Sequence, residues 1–382
     1  MDQIIRIAVP TFDKIRTIGH YKFYYCVASG IADDRVTDAE IDSLATYLNS
    51  YWTSYTTNFT KPKHYDSGGL ELINIRVYYL GTSLLGQTSS SWNYIELNSK
   101  YCVKDASCKR RTTAAHELFH RVQYAYGYIS GTANLKWIVE GTASWSQKFT
   151  NLSRRDYMGR MNSGLDVPDR ALITGTSSRS YDACHYWVWL QKRAATFAAI
   201  KDVWYQYSIN GKNAKLAVQT VVTARSLAAS FDVFTRDWNK ANYVKDFSAG
   251  GVYDYDEDPL NVTTGCGTFS LHHAPRSYYT VASNSTIIGP VGPRSVLEYG
   301  ADYYEFTINA AVTRFKILLT RTAGGCDWAL MGSKSGAWKI IYNNSTSPKT
   351  WDLTFTAGTY DKMGLIVSGQ SSGATYTWRV GP

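Results

Sequence analysis

The sequence contains no apolar run that approaches the length of a membrane-spanning helix, so we expect no membrane span. Its first residues, MDQIIRIAVP, lack a signal-peptide pattern, and we expect a mature or trimmed form of the chain. There are 40 basic and 31 acidic residues, but the basic ones are dispersed apart from Lys109, Arg110 and Arg111. This distribution argues against a nucleic-acid partner and leaves an anionic surface or an acidic substrate open.

Cysteines are few, and none of the six has the spacing of a zinc ribbon. They fall into three pairs: Cys102 and Cys108, Cys266 and Cys326, and Cys26 and Cys184. We expect disulfides in the first two pairs, because the members of each are close in sequence or share a predicted domain. The third pair either forms a disulfide or remains as buried thiols. Such cysteine usage predicts an extracellular, secreted protein.

Two histidines, His116 and His120, stand four positions apart in the segment KRRTTAAHELFHRVQYAYGY. Helix-forming residues surround them, and no proline interrupts the chain between Arg111 and Gly127, so the segment predicts a helix that ends at Gly127. Positions i and i+4 share one face of a helix, so both imidazoles can bind one zinc ion, with Glu117 beside it. The pattern H-E-x-x-H on a helix is typical of zinc peptidases.

A catalytic zinc ion keeps three protein ligands, and Glu140 is the best candidate for the third. It lies in the run WIVEGTASW, which can form a second helix packed against the first. On these residues the chain resembles the gluzincins of the peptidase MA-like group, whose zinc ion is held by the two HExxH histidines and a glutamate from a following helix. Many gluzincins carry an acidic residue four positions after that glutamate, where this chain has Ser144. The resemblance implies that Ser144 supports a zinc-binding histidine.

Peptide hydrolysis also needs a general base and a donor to the developing oxyanion. Glu117 is the expected base. Tyr181 is the expected donor, because SYDACHYWVWLQK resembles the helix start at which a gluzincin tyrosine polarises the substrate carbonyl. His185, one helical turn further on, is the alternative donor. The segment is apolar almost all round, so an aromatic core helix remains an equal interpretation.

The N-terminal region is expected to complete a zincin-type mixed sheet, with three strands predicted at 20–29, 72–81 and 91–99. In the gluzincin scaffold, an edge strand just before the active helix can pair with an extended peptide substrate. The resemblance therefore implies a substrate-binding edge formed by Tyr94, Ile95, Glu96 and Leu97.

The pattern of the chain changes after Gly250 and Gly251. The acidic run DYDEDPL that follows could bind calcium, but a solvated linker is the better interpretation. After about Asn261, short strand-like runs alternate with turns, which predicts an antiparallel β-sandwich. Its ending resembles the pre-peptidase C-terminal domains of secreted bacterial peptidases. We therefore expect an α+β protein with a zincin-like metallopeptidase domain at 1–250, a linker at 251–261 and a β-sandwich accessory domain at 262–382.

The resulting hypothesis is a secreted zinc metallopeptidase, with an endopeptidase favoured because no amino-terminus-binding motif of the Gly-Ala-Met-Glu-Asn type is found. Its partners would be peptides or proteins, and the C-terminal domain could bind a polymer or a surface. Residues up to about Asn261 are expected to carry the whole active site. Two alternatives remain open at this point. One is a secreted glycan- or polymer-binding adhesin on an inactive zincin fold, suggested by 30 tyrosines and 12 tryptophans; the other is a zinc hydrolase of non-peptide amides.

Overall fold

The computed structural model describes residues 8–104, 109–131, 134–150, 157–173, 179–244, 262–264, 267–269, 274, 276–343 and 349–382. The expected linker, Cys108 and Cys266 lie outside these residues. The described helices are α1 (Asp38–Asn58), α2 (Lys109–Ala125), α3 (Lys136–Ser146), α4 (Tyr157–Leu165), α5 (Cys184–Ala194), α6 (Ala198–Ile209), α7 (Ala214–Ala224) and α8 (Phe231–Val244). The N-terminal strands are β1 (Lys14–Ile18), β2 (Tyr21–Tyr25), β3 (Tyr65–Ser67), β4 (Leu70–Tyr78), β5 (Gly86–Thr88) and β6 (Tyr94–Asn98).

The N-terminal strands form one mixed sheet in the order β1-β2-β4-β6-β5, with β3 paired to β4. The central strands β2, β4 and β6 are parallel to one another, whereas β1 and β5 run antiparallel to their neighbours. The mixed sheet expected from the sequence is confirmed. Its last strand is the short β5, which pairs with β6 on one side.

Helices α1 and α2 pack together against this sheet. Helix α1 begins with a capping box, in which Thr37 and Glu40 satisfy each other's backbone N–H groups. One face of α1 is buried, and Tyr55 from its last turns donates a hydrogen bond to the carbonyl of Ala115 in α2 (3.1 Å). Since the sheet and α1 enclose the apolar side of α2, the opposite side of α2 is directed toward the helices that follow.

Aromatic side chains fill the helical part of the chain. Trp137 of α3 stacks on Trp187 of α5 with ring centroids 5.3 Å apart, and the Trp187 indole donates to the carbonyl of Trp137. Fully buried tryptophans also lie in α6, in α8 and in the C-terminal domain. The large exposed aromatic side chains among the described residues are Tyr181, Tyr205 and Tyr278. Most aromatic side chains of the described residues therefore lie in the core. Few are left on the surface to stack on sugars, which weakens the alternative of a glycan-binding adhesin.

The C-terminal strands are β7 (Val262–Thr264), β8 (Gly267–Phe269), β9 (Ser277–Val281), β10 (Ile288–Val296), β11 (Ala301–Ile308), β12 (Arg314–Lys334), β13 (Ala337–Asn343), β14 (Lys349–Thr354) and β15 (Lys362–Val380). Strands β7 and β8 form a separate pair, and the others form one sheet of seven strands. The expected arrangement of antiparallel strands in a sandwich needs correction, because β9 pairs parallel to β11.

The seven-stranded sheet curls because its two long strands, β12 and β15, run through both halves. Register shifts interrupt their pairing near Arg321–Ala323 and Gly324–Cys326, and such bulges bend and twist a strand. The halves close on one apolar core, in which Trp378 contacts Phe306 with ring centroids 5.3 Å apart. The result packs like a sandwich, although its two faces belong to one continuous sheet.

Tyr299, at the turn before β11, is buried in the core of the N-terminal domain. Its ring lies 5.1 Å from that of Phe231, and its hydroxyl donates to Asp232 (2.9 Å) and accepts from Lys215 (2.5 Å). Tyr303 adds a hydrogen bond to the carbonyl of Asn239 in α8. The C-terminal domain is thus packed directly against the helical part of the chain through α8.

The cysteines differ in part from expectation, because only Cys26 and Cys184 follow one of their predicted alternatives, that of buried thiols. Cys26, Cys102, Cys184 and Cys326 are buried thiols, and none of the four is in a disulfide. The predicted Cys102–Cys108 and Cys266–Cys326 bonds are therefore not formed. The Cys102 sulfur instead donates to the carbonyl of Lys109, and Cys326 fills the core of the C-terminal sheet. No helix among the described residues is long and apolar enough to cross a membrane.

Candidate metal centre

Helix α2 carries both histidines and ends where the sequence predicts. Gly127 has a φ of +82°, a left-handed conformation that glycine adopts without strain. The N–H of Tyr128 bonds to the carbonyl of Gln123, and that of Gly127 to the carbonyl of Tyr124, at 3.1 and 3.0 Å. These two bonds form a Schellman motif, which satisfies carbonyls left over by the last turn. The chain then reverses into α3, which carries Glu140 back against α2.

His116, His120 and Glu140 bring three potential ligand atoms together. The Nε2 atoms of the two histidines are 3.1 Å apart, and Oε2 of Glu140 lies 3.1 Å from His116 Nε2 and 3.6 Å from His120 Nε2. Zinc binds nitrogen and oxygen ligands at about 2.0–2.2 Å, so tetrahedral coordination places such atoms roughly 3.3 Å apart. The observed separations fit one zinc ion held by the three side chains.

Burial and mutual charge control the ionisation of this group. Burial lowers the pKa of His116, which favours its neutral, ligating form. For His120, burial also opposes charge, but the carboxylate of Glu140 outweighs it and raises the pKa. Burial likewise opposes ionisation of Glu140, yet His120 and His116 hold its pKa well below the usual range. Glu140 is therefore an anion, and a metal ion would compete with a proton for His120.

Gln123 orients His120, a role that the sequence reasoning missed. Its side-chain nitrogen donates to the carbonyl of Val139 (2.8 Å) and to the hydroxyl of Thr142 (3.0 Å) in α3, so its oxygen faces His120. That oxygen lies 2.7 Å from His120 Nδ1, which must be the donor. The proton on Nδ1 leaves the Nε2 lone pair for a metal. The available signal in the sequence was a glutamine three positions after His120, which a helix places on the same face as that histidine.

Glu117 is close enough to His120 and Glu140 to interact with them electrostatically, and it is buried, with 6% of its surface exposed. Burial raises the pKa of Glu117 to about 7. Its side chain packs against Gly86 of β5, where an added Cβ would come within 3.0 Å of Glu117 Cγ and 2.8 Å of Thr113 Cγ2. Glycine at position 86 therefore lets the last strand of the sheet approach the α2 helix closely at Glu117.

Tyr181 lies next to His116, in a 3-10 turn (Tyr181–Ala183) that leads into α5. Its ring stacks on that of His116 with centroids 5.5 Å apart, and 41% of its surface is exposed. Partial burial, followed by the negative charges of Glu140 and Glu117, raises the pKa of Tyr181, so its hydroxyl stays protonated and can donate.

Two further predicted site residues, His185 and Ser144, are buried in the helical part of the chain. His185 is fully buried; its Nδ1 bonds to the carbonyl of Asp182, and its ring packs 4.8 Å from that of Trp238 in α8. Ser144 is buried in α3, and its hydroxyl makes no hydrogen bond to the described residues. These positions favour Tyr181 over His185 as the residue next to the metal centre.

The expected substrate-binding edge at Tyr94, Ile95, Glu96 and Leu97 needs correction. These residues form β6, which is paired on both sides, with β4 and with β5, and so has no unpaired edge. Ile95 and Leu97 are in the core, while Glu96 accepts hydrogen bonds from Tyr78 (2.9 Å) and Gln87 (2.6 Å). The strand at the edge of the sheet, next to α2, is β5.

Comparison with known proteins finds similarity only to solved structures, and each of those reported below covers about a quarter of the chain. No family model matches the chain, and no curated protein matches it. Among solved structures, it is similar to PliG of Aeromonas hydrophila, a periplasmic inhibitor of g-type lysozyme (13% identity, TM-score 0.20, covering 28% of this chain and 98% of that one). It is also similar to the pre-peptidase C-terminal domain of collagenase from Bacillus anthracis (16% identity, TM-score 0.17, covering 28% and 95%). PliG of Salmonella Typhimurium gives 16% identity, a TM-score of 0.19 and coverage of 28% and 96%.

Proposed function

We propose that this protein is a secreted zinc-dependent peptidase that cleaves within peptide chains. The observation that carries the proposal is the arrangement of His116, His120 and Glu140 at tetrahedral ligand spacing, with the buried Glu117 in electrostatic contact with His120 and Glu140. Three protein ligands leave a fourth position open, as catalytic rather than structural zinc sites do. When bound, the zinc ion would supply a Lewis acid for the attacking water and the substrate carbonyl.

Glu117 would act as the general base. Glu117 is not needed as a metal ligand, since three other side chains already supply ligand atoms that lie close together. With a pKa raised to about 7 by burial, this carboxyl group can both accept and return a proton near neutral pH. In the proposed mechanism it takes a proton from the attacking water and passes it to the leaving amine. An inactive, vestigial site would have no reason to keep an acidic group buried at this cost.

Tyr181 would donate a hydrogen bond to the oxyanion that develops on the substrate carbonyl. Its ring position over His116 and its raised pKa both suit a neutral donor at the open side of the centre. The partial exposure of Tyr181 leaves room for a substrate to reach it. The buried contacts of His185 with Asp182 and Trp238 suit a packing role better.

Strand β5 would align the substrate. Its outer edge has no partner strand among the described residues, and an extended peptide can add to such an edge through main-chain hydrogen bonds. Gly86 brings this edge against Glu117, so a peptide bound there would run past the proposed base. An edge open along the sheet suits cleavage inside a chain, in line with the absence of an amino-terminus-binding motif.

The direct test is to digest a peptide library with the purified protein and identify the products by mass spectrometry. Cleavage should require zinc, stop with a chelator and return on adding zinc. Glu117→Gln is the control that separates this protein's activity from that of a contaminating protease. A zinc-loaded native protein that leaves every peptide intact would show that the proposal is wrong.

A further inference from the structure

An arginine on α4 stands beside the metal centre. The Arg160 guanidinium carbon lies 4.9 Å from the centre of the Tyr181 ring, and the same ring stacks on that of His116, with centroids 5.5 Å apart. The side chain of Arg160 is exposed. Cation and ring attract each other at this distance, so the contact holds the guanidinium next to Tyr181, which is partly exposed to solvent.

Arg160 has no hydrogen bond and no ion pair with any described residue. Other arginines of this region are paired: Arg179 donates to Asp182 (3.2 Å) and to the carbonyl of Gly164 (2.7 Å), and Arg170 also contacts Asp182. A guanidinium presents five N–H donors in a planar fork that matches a carboxylate. The donors of Arg160 are therefore available to a ligand that approaches Tyr181.

No acidic side chain among the described residues pairs with Arg160, so its positive charge is not neutralised by a neighbour there. The charge of a bound divalent cation would be offset by Glu140, and Glu117 would add to this when ionised. A substrate that brings its own negative charge would be favoured over a neutral one.

We propose that Arg160 is a specificity residue that binds a carboxylate of the substrate near the scissile bond. An extended peptide advances roughly 3.3–3.6 Å per residue, so the distances place this carboxylate about one to three residues from the bond that is cut. It belongs either to an acidic side chain or to the C-terminus of a short peptide, and the same fork binds both. The inference rests on the proposed function for its substrate, but the binding of carboxylates can be measured without turnover.

The experiment compares peptide pairs that differ only in charge. One series places Glu, Gln or Lys at each position around a cleaved bond in end-blocked peptides, and a second series has a free or an amidated C-terminus. Equilibrium binding is measured on the zinc-loaded Glu117→Gln protein, and kcat/KM on the otherwise native protein. The variants are Arg160→Gln and Arg160→Glu. Lys201→Glu, at an exposed position on α6, is the control because it changes the net charge of the protein as much as Arg160→Glu does.

The native protein and Lys201→Glu should bind one member of the carboxylate series roughly tenfold to a hundredfold more tightly than its amide partner. Arg160→Gln should abolish this ratio, and Arg160→Glu should reverse it in favour of Lys at the same position. The series that responds identifies the source of the carboxylate. Ratios that are unchanged in both Arg160 variants would overturn the inference. Binding ratios that depend on Arg160 without any cleavage would leave the inference standing and reject the peptidase function.

Discussion

The side-chain oxygen of Gln123 lies 2.7 Å from Nδ1 of His120, and the nitrogen of the same amide donates to Val139 in the helix that carries Glu140. One side chain thus fixes the tautomer of a ligand and links the two ligand-bearing helices. We expect Gln123→Leu to weaken zinc binding about tenfold to a hundredfold, as losses of such supporting hydrogen bonds do. Competition with a chelator of known affinity measures this.

Gln123→Glu keeps the acceptor for His120 and should retain zinc affinity more closely, because carboxylate–histidine–metal chains are common supports. Gln219→Leu, on α7, is the control for a glutamine away from the metal-bearing helices. Native zinc affinity in a folded Gln123→Leu protein would show that His120 is oriented by something else.

The purified protein should hold one zinc ion per chain. Replacing His116 or His120 by alanine should weaken binding by several orders of magnitude, because the full set of ligands supports the affinity. Metal analysis after dialysis measures the stoichiometry. A native protein that remains metal-free after zinc is added would contradict the assignment of the site.

Glu117→Gln should preserve zinc and fold but reduce turnover at least about a thousandfold, which corresponds to loss of the proton acceptor together with poor orientation of the water. Because burial already disfavours the ionised form of Glu117, the neutral amide should not lower stability. Steady-state kinetics and thermal unfolding are measured side by side. Native turnover in this variant would exclude Glu117 as the base.

Tyr181→Phe should lower kcat with little change in KM, because the donor acts mainly in the transition state. Loss of one such donor costs about 2.7–4 kcal/mol, or roughly a hundredfold to a thousandfold in rate. His185→Gln is the paired variant, and its contacts with Asp182 and Trp238 lead us to expect lower stability with a milder kinetic effect. The reverse outcome, normal kcat in Tyr181→Phe and a large loss in His185→Gln, would transfer the donor role to the histidine.

Tyr299, just before the first residue of β11, is buried in the core of the N-terminal domain and so links the two domains. Tyr299→Ala should lower the free energy of unfolding by about 3–5 kcal/mol, the range for a large aromatic ring lost from a core. Tyr278→Ala, at a residue that is 69% exposed, should change it by about 0.5 kcal/mol or less. Urea unfolding of the full chain measures both.

Removal of the C-terminal domain is the stronger version of this test. The sequence predicted that residues up to about Asn261 would act alone, but the truncated chain would expose Phe231, Tyr243 and the rest of the α8 face that packs on the sheet. We therefore expect it to lose cooperative unfolding and, with it, stable zinc binding. A truncated protein with native unfolding behaviour and native activity would restore the simpler division into independent domains.

Local patterns in the sequence were sufficient to predict the three side chains that form the candidate metal centre. The i, i+4 spacing of His116 and His120, the Gly127 stop and the helix around Glu140 involve residues close in sequence, where helical geometry alone decides which side chains share a face. The mixed sheet and a β-rich C-terminal domain were also predictable, because strand alternation and turn residues are local signals.

Tertiary structure decided the rest. Strand β5, with the sequence Gly-Gln-Thr, has no strand pattern of its own and exists because it pairs with β6, so the edge of the sheet could not be located from the sequence. The two predicted disulfides were wrong, because neither a short loop nor membership of one domain places two thiols at bonding distance. The bonds of Gln123 to α3, the lack of an ion pair at Arg160 among the described residues and the insertion of Tyr299 depend on how distant segments pack, and only the tertiary structure determines that.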